Sequence, residues 1–208
     1  MNIEEIYSIY TIIKEKVEKR IAEFKNIWKN GSNKDIFLEM AFCLFTPQSK
    51  AINAFKALEN IVKKDLFHSN DEKLISNELN IVRFKNNKAK YFIIARNKYL
   101  DNIKDIINQE NIFQTREYLV KNVTGYGYKE ASHFLRNIGF VEEIAILDRH
   151  ILKNLFLLNV INEIPSTLNF KKYYEIEEKF KTFSQKIDIP FAHLDFVLWY
   201  KETGEIFK

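Results

Sequence analysis

Three groups of residues in this chain have the types and the spacing to do chemistry together. They are a glycine hairpin, Val123-Thr124-Gly125-Tyr126-Gly127-Tyr128; the lysine directly after it, Lys129; and, nineteen residues further on, Asp148 in Leu147-Asp148-Arg149-His150. The two glycines let the backbone turn tightly and approach another molecule closely, because neither carries a Cβ. A helix opening behind them offers unpaired N–H groups and a partial positive charge, which suits a phosphate. At about 100° per residue around that helix, Ala131, Phe134, Leu135 and Ile138 gather on a predicted core side. Lys129, Ser132, His133 and Arg136 lie opposite, on a face predicted to be free for solvent or a ligand. Taken singly these residues have ordinary explanations. A lysine on a polar helix face is usually a solvated charge, and Asp148 precedes the apolar positions Ile151, Leu152, Leu155 and Phe156 as an N-cap would.

In order and spacing, the hairpin, the lysine and the aspartate resemble the helix-hairpin-helix (HhH-GPD) superfamily of DNA glycosylases. Leu44-Phe45-Thr46-Pro47-Gln48-Ser49 resembles that superfamily's early helix junction, and Phe84-Lys85-Asn86-Asn87-Lys88-Ala89-Lys90-Tyr91 its "N-K-A" helix start. The stretch Leu194-Asp195-Phe196-Val197-Leu198-Trp199-Tyr200, running on to Gly204-Glu205-Ile206-Phe207-Lys208, is similar to the type 2, largely archaeal, 8-oxoguanine DNA glycosylases. Departures from the wider pattern are Thr124, where many members have proline, Tyr126 and Tyr128, which replace smaller residues, and Arg149, where a small residue is common.

The resemblance implies a bifunctional glycosylase/lyase with Lys129 as nucleophile and Asp148 assisting it. It implies that Gly125, Tyr126 and Gly127 grip DNA phosphates, and that backbone carbonyls of Lys121, Val123 and Tyr126 hold a monovalent cation. It places Lys208, with its α-carboxylate, near a base pocket, and makes Trp199 and Phe84 stacking candidates. Gln48 is a candidate hydrogen-bond partner of the base and His133 a candidate pocket residue. For Phe84 a place in the core competes with stacking, since the chain has 18 phenylalanines. The implied partner is DNA containing 8-oxoguanine with the damaged base flipped out, bound by a monomer, with no further cofactor. No histidine/cysteine cluster has zinc spacing.

Excising an oxidised purine means breaking the C1′–N9 bond of a nucleotide buried in duplex DNA, so the nucleotide must first leave the stack. An amine attacking C1′ displaces the base and collapses to a Schiff base, from which β-elimination cuts the strand. An ordinary lysine has a pKa of about 10.4, so such a site must favour the free amine through burial, the positive end of a helix or nearby cations. 8-Oxoguanine carries an N7–H donor where guanine has an acceptor. Leaving one such buried group unpaired costs about 1–3 kcal/mol, enough to discriminate. Two rival readings use the same residues: a glycosylase/lyase for oxidised pyrimidines, and a non-catalytic HhH module binding duplex DNA.

A chain of 208 residues, 46% hydrophobic, can bury a substantial core, and its net charge of +4 permits a polyanionic partner without naming one. The sole cysteine, Cys43, lies in an apolar run and cannot supply the four thiolates of an iron–sulfur cluster, which excludes cluster-bearing relatives. No secretory signal or membrane span is visible, so an intracellular, cytoplasmic protein is expected; the family resemblance implies one of archaeal or bacterial type, associated with the nucleoid.

Only five glycines and three prolines interrupt helical periodicity, which predicts an all-α fold. Helices are expected over residues 3–28, 34–45, 71–80, 87–99, 112–121, 129–139, 149–158, 170–183 and 191–200. Asn33 is expected to cap the second of these. Pro47 is expected to open another helix, whose core face carries Ala51, Ala54, Phe55 and Leu58. The family resemblance groups them into two lobes with a cleft between, residues 1–33 with 149–208 and residues 34–148, the hairpin motif lying at about 112–139.

Overall fold

The computed structural model describes residues 2–208, and among these the secondary structure consists of ten α-helices with no strand. They are α1 (Ile3–Asn30), α2 (Asn33–Phe45), α3 (Ala51–Lys63), α4 (Glu72–Glu78), α5 (Lys85–Tyr99), α6 (Ile112–Asn122), α7 (Tyr128–Asn137), α8 (Arg149–Leu157), α9 (Phe170–Lys186) and α10 (Phe191–Thr203). The chain divides into two units, one made of Met1–Lys25 and Leu135–Lys208, the other of Asn26–Phe134.

In the Asn26–Phe134 unit the central element is α2, buried from Ile36 to Phe45 except Leu38, with Glu39 the one charged side chain in that stretch. A helix so predominantly apolar must be enclosed, and α3 and α5 pack against it. Phe92 of α5 meets the rings of Phe37, Phe45 and Phe67 at centroid distances of 5.8, 5.8 and 6.0 Å. Ser32, rather than Asn33, caps α2. Its hydroxyl accepts from the Asp35 N–H and the Asp35 carboxylate accepts from the Ser32 N–H, a reciprocal box that needs the acid three residues after the cap. The Asn33 amide donates instead to the Asp101 carbonyl, at 2.6 Å.

Pro47 does not open a helix. Residues 46–50 form a turn closed by the Ser49 N–H to the Thr46 carbonyl, and α3 begins at Ala51. On α3, Ala54 and Leu58 are buried as expected, together with Ala57 and Ile61, while Phe55 is half-buried.

In the unit of Met1–Lys25 and Leu135–Lys208, α10 plays the enclosed role, buried from Phe191 to Leu198 except His193, with α8 and α9 against it. An ion pair lies inside: the Arg136 guanidinium meets Asp195 Oδ2 at 3.1 Å and sits 5.4 and 4.7 Å from the ring centres of Phe24 and Phe196. Burial raises the Asp195 carboxyl to about 6, with Arg136 opposing the shift and Asp148 adding to it. Gly139, at φ +101°, lets the chain cross against α1, since a Cβ there would lie 2.8 Å from the Lys25 Cα.

Candidate active site

The hairpin leads into α7 as its glycines require. Gly125 holds φ +93°, and a Cβ on it would stand 2.6 Å from the Tyr91 ring. Tyr126 is buried and its hydroxyl donates to the Met40 carbonyl at 2.8 Å, so this tyrosine anchors the hairpin to α2 and presents only backbone outward. Two hairpin N–H groups have partners within the chain, that of Tyr126 on the Val123 carbonyl and that of Gly127 on Glu130 Oε2. The last turn of α6 includes Lys121, and Val123 is its extended C-cap. Carbonyl oxygens therefore collect at the negative end of a helix, where a cation is favoured.

Helix α7 departs from the expected two-faced pattern. Ala131, Phe134, Leu135 and Ile138 are fully buried as predicted, but Ser132, His133 and Arg136 are buried too, at no more than 7% exposure. Ser132 accepts from Arg116, Arg136 pairs with Asp195, and the His133 ring stands edge-on to Phe42 at 5.4 Å. His133 is therefore a core residue and its ring does not look onto solvent. Ser132 and Arg136 find polar partners distant in sequence, which periodicity cannot reveal.

Lys129 escapes this enclosure. In the first turn of α7 its side chain keeps 24% exposure, and its Nζ donates to Thr46 Oγ1 at 3.1 Å and stands 3.6 Å from Glu130 Oε1. A second lysine, missed by the sequence reading, lies close by. Lys88 of α5 is only 3% exposed, and its Nζ donates to the Phe45 carbonyl (2.7 Å), the Pro47 carbonyl (2.8 Å) and Ser49 Oγ (3.0 Å). Burial, reinforced by the neighbouring Lys129 cation, lowers Lys88 to about 8. Lys88 is the lysine of the N-K-A helix start, which the sequence reading quoted without giving it a role; its neighbours Lys85 and Lys90 are exposed.

The same turn brings Gln48 and the α5 start together. Gln48 is exposed at φ +52° and its Oε1 accepts from Arg83 at 3.4 Å, while the Arg83 N–H donates to Ser49 Oγ. The next residue, Phe84, is 55% exposed and holds φ +58° at the N-terminus of α5. A bulky residue in the left-handed region, with its ring in water, is twice unfavourable and is a pattern that marks functional positions. Phe84 is thus outside the core.

Asp148, Trp199 and Lys208 belong to the other unit. Asp148 caps α8, its Oδ1 accepting from the His150 and Ile151 N–H groups at 2.8 and 2.9 Å, which leaves Oδ2 out of the cap. Trp199, half-buried, stands edge-on to His150 at 5.4 Å, and His150 Nδ1 is 3.7 Å from Glu202. His150 is a neighbour that the sequence reading quoted but gave no role. Beyond α10, Gly204 turns the chain at φ +71°, and Lys208 is half-buried.

An all-helical chain whose Gly-X-Gly hairpin opens a helix bearing a part-buried lysine has the architecture of the HhH-GPD DNA glycosylases. Within that class the chain belongs to the 8-oxoguanine DNA glycosylase (Ogg-HhH) family, whose model matches residues 17–189. It is 51% identical over 209 aligned positions to the 8-oxoguanine DNA glycosylase/AP lyase of Fusobacterium nucleatum, covering 98% of this chain and 96% of that one. Crystal structures agree. The Thermotoga maritima 8-oxoguanine DNA glycosylase superimposes with a TM-score of 0.89 at 33% identity, over 99% of this chain and 98% of that one. The Methanocaldococcus jannaschii 8-oxoguanine glycosylase/lyase in complex with a 15mer DNA containing 8-oxoguanine gives 0.89 at 38% identity, over 99% of both chains.

Proposed function

We infer that this chain is a bifunctional 8-oxoguanine DNA glycosylase/AP lyase with Lys129 as its nucleophile. What carries the assignment of the nucleophile is a lysine amine held on a hydroxyl, Thr46 Oγ1, directly behind the hairpin of a chain in this family. The hairpin around Gly125, Tyr126 and Gly127 grips DNA phosphate at the N-terminus of α7, and the α6 end at Lys121 and Val123, with Tyr126, fits a monovalent cation that would neutralise charge there. The partner is DNA with the damaged nucleotide flipped out, bound by a monomer.

The neutral Lys129 amine attacks C1′, the C1′–N9 bond breaks and the purine leaves. The resulting aminal opens to a Schiff base, and loss of a C2′ proton expels the 3′ phosphate. Asp148 receives the proton released by the amine and offsets positive charge on the sugar, using the oxygen not engaged in the α8 cap. Phe84, exposed and strained, and Trp199 stack on the base. Gln48 and an acceptor in the segment carrying Lys208 read its polar edge, including N7–H.

Borohydride treatment during reaction tests the chemistry, because only a Schiff-base enzyme becomes covalently attached to DNA. The protein is expected to trap on a duplex containing 8-oxoguanine, and Lys129→Gln to trap nothing while binding the same duplex within about twofold, since phosphate contacts position the protein independently of the chemistry. Undiminished trapping by Lys129→Gln would overturn the assignment.

A further inference from the structure

We propose that Thr46 is a positioning residue for the Lys129 amine, and that Lys88 holds the turn on which Thr46 is mounted. The inference rests on Lys129 being the nucleophile. It adds how that amine is aimed.

Thr46 ends α2 and is only 6% exposed. Its hydroxyl has one proton, and that proton is given to the Cys43 carbonyl at 2.9 Å. The 3.1 Å contact between Thr46 Oγ1 and Lys129 Nζ can therefore run only one way, with the lysine donating. A primary amine that donates one N–H to a fixed acceptor keeps its lone pair on another tetrahedral direction, turned away from that acceptor. Lysine has four rotatable side-chain bonds, and the hydroxyl removes much of that freedom before substrate arrives. Glu130 Oε1, 3.6 Å from the same nitrogen, bounds it on the side of α7.

The acceptor is useful only if its backbone is fixed, and the turn after α2 is not stable by local rules. Gln48 sits at φ +52°, and the closing bond is a single 3.0 Å contact from the Ser49 N–H to the Thr46 carbonyl. Lys88 supplies what the turn lacks. An ammonium has three N–H donors, and all three are spent here, on the carbonyls of Phe45 and Pro47 and on Ser49 Oγ, flanking Thr46 on both sides. That use also separates the two neighbouring lysines. Lys88 is 3% exposed and fully committed to the turn, whereas Lys129 makes one hydrogen bond and keeps a quarter of its side chain open. Each has one task, scaffold and nucleophile. Burial lowers Lys88 to about 8, and the neighbouring Lys129 cation adds to that shift.

The experiment compares Thr46→Val, which keeps the shape and loses the hydroxyl, with Thr46→Ser, which keeps the hydroxyl. Single-turnover excision and borohydride trapping on an 8-oxoguanine duplex are measured from neutral pH up to the alkaline plateau, with Kd for the same duplex and thermal denaturation alongside. Thr46→Val is expected to slow both reactions by about tenfold or more, with Kd within about twofold. The loss persists on the plateau, where protonation of the amine no longer matters. Thr46→Ser recovers most of the rate. Excision by Thr46→Val within about threefold of wild type overturns the proposal. So does a Thr46→Ser protein as slow as Thr46→Val, or a deficit that vanishes on the plateau, which would make the hydroxyl an electrostatic rather than a geometric device. For the scaffold, Lys88→Met is expected to reproduce the loss at neutral pH, where Lys88 is an ammonium that fills all three contacts. Should it fail to fold, Ser49→Ala, which removes one of the three contacts, is expected to slow trapping measurably, and an unchanged rate there counts against Lys88. Absence of trapping by wild type, or its survival in Lys129→Gln, would sink the nucleophile assignment itself and is scored apart from Thr46.

Discussion

At the scale of single residues, Asp148 shows how one side chain serves structure and chemistry without conflict. Its Oδ1 accepts two N–H bonds at the start of α8. An asparagine keeps that acceptor, and the two residue types cap helices about equally well. Asp148→Asn should therefore leave the melting temperature almost unchanged while single-turnover excision falls on the order of 100-fold or more, because an amide neither takes a proton nor offsets positive charge. Near-wild-type excision would reduce Asp148 to a cap. Lys88 gives a prediction with a definite sign. Its folded pKa, about 8, lies below the ordinary lysine value of 10.5, so between these pH values the unfolded chain holds a proton that the folded chain has released. Raising the pH through that window penalises the unfolded state, and wild type should gain stability relative to Lys88→Met from about pH 8 to 10.5. Denaturant titrations of both proteins at matched pH check it. A flat difference would mean that Lys88 is solvated.

At the scale of elements, the two hairpin glycines are not equivalent. Gly125 holds φ +93° with Tyr91 packed where a side chain would go, whereas a Cβ on Gly127 would meet only the flexible Glu130 carboxylate at 3.3 Å. Gly125→Ala is expected to destabilise the protein by about 1–3 kcal/mol and to weaken binding to damaged and undamaged duplexes alike, while Gly127→Ala stays within about 1 kcal/mol of wild type. Thermal melts with fluorescence-anisotropy titrations separate them, and equal losses at both positions would contradict the argument. Helix α7 marks where the sequence was and was not legible. Its apolar positions, three and four apart, located the core face through Ala131, Phe134, Leu135 and Ile138, because burial of apolar area acts on each helix locally. Its polar side was misread, since Ser132 and Arg136 find partners at Arg116 and Asp195, and long-range pairing leaves no periodic trace. The turn at Pro47 was misread for a related reason. Local rules favour a helix start there, and Lys88, 41 residues away, imposes something else. Ser32 and Asp35, three residues apart, spell a capping box in the sequence itself, one residue before the Asn33 expected to cap.

For the whole molecule, the positions that carried the family resemblance remain the informative ones. Lys129 keeps an open side chain, Phe84 holds its ring in solvent, and the turn through Thr46, Pro47 and Gln48 faces them within one unit. What composition could not supply was the partner, since a net charge of +4 on 208 residues is modest. A protein with so small an excess must bind DNA through localised phosphate contacts rather than through a general field. A footprint of about four such contacts lowers duplex affinity roughly 100-fold between 50 and 200 mM salt, because each neutralised phosphate releases condensed counterions. The excision rate measured with all DNA bound should hardly change over the same range, since the distances that aim Lys129 are short-range and partly buried. Anisotropy titrations and saturating single-turnover assays across that salt series test both halves. A saturated rate that falls in step with affinity would show that the chemistry, and not only the grip on DNA, depends on screened charge.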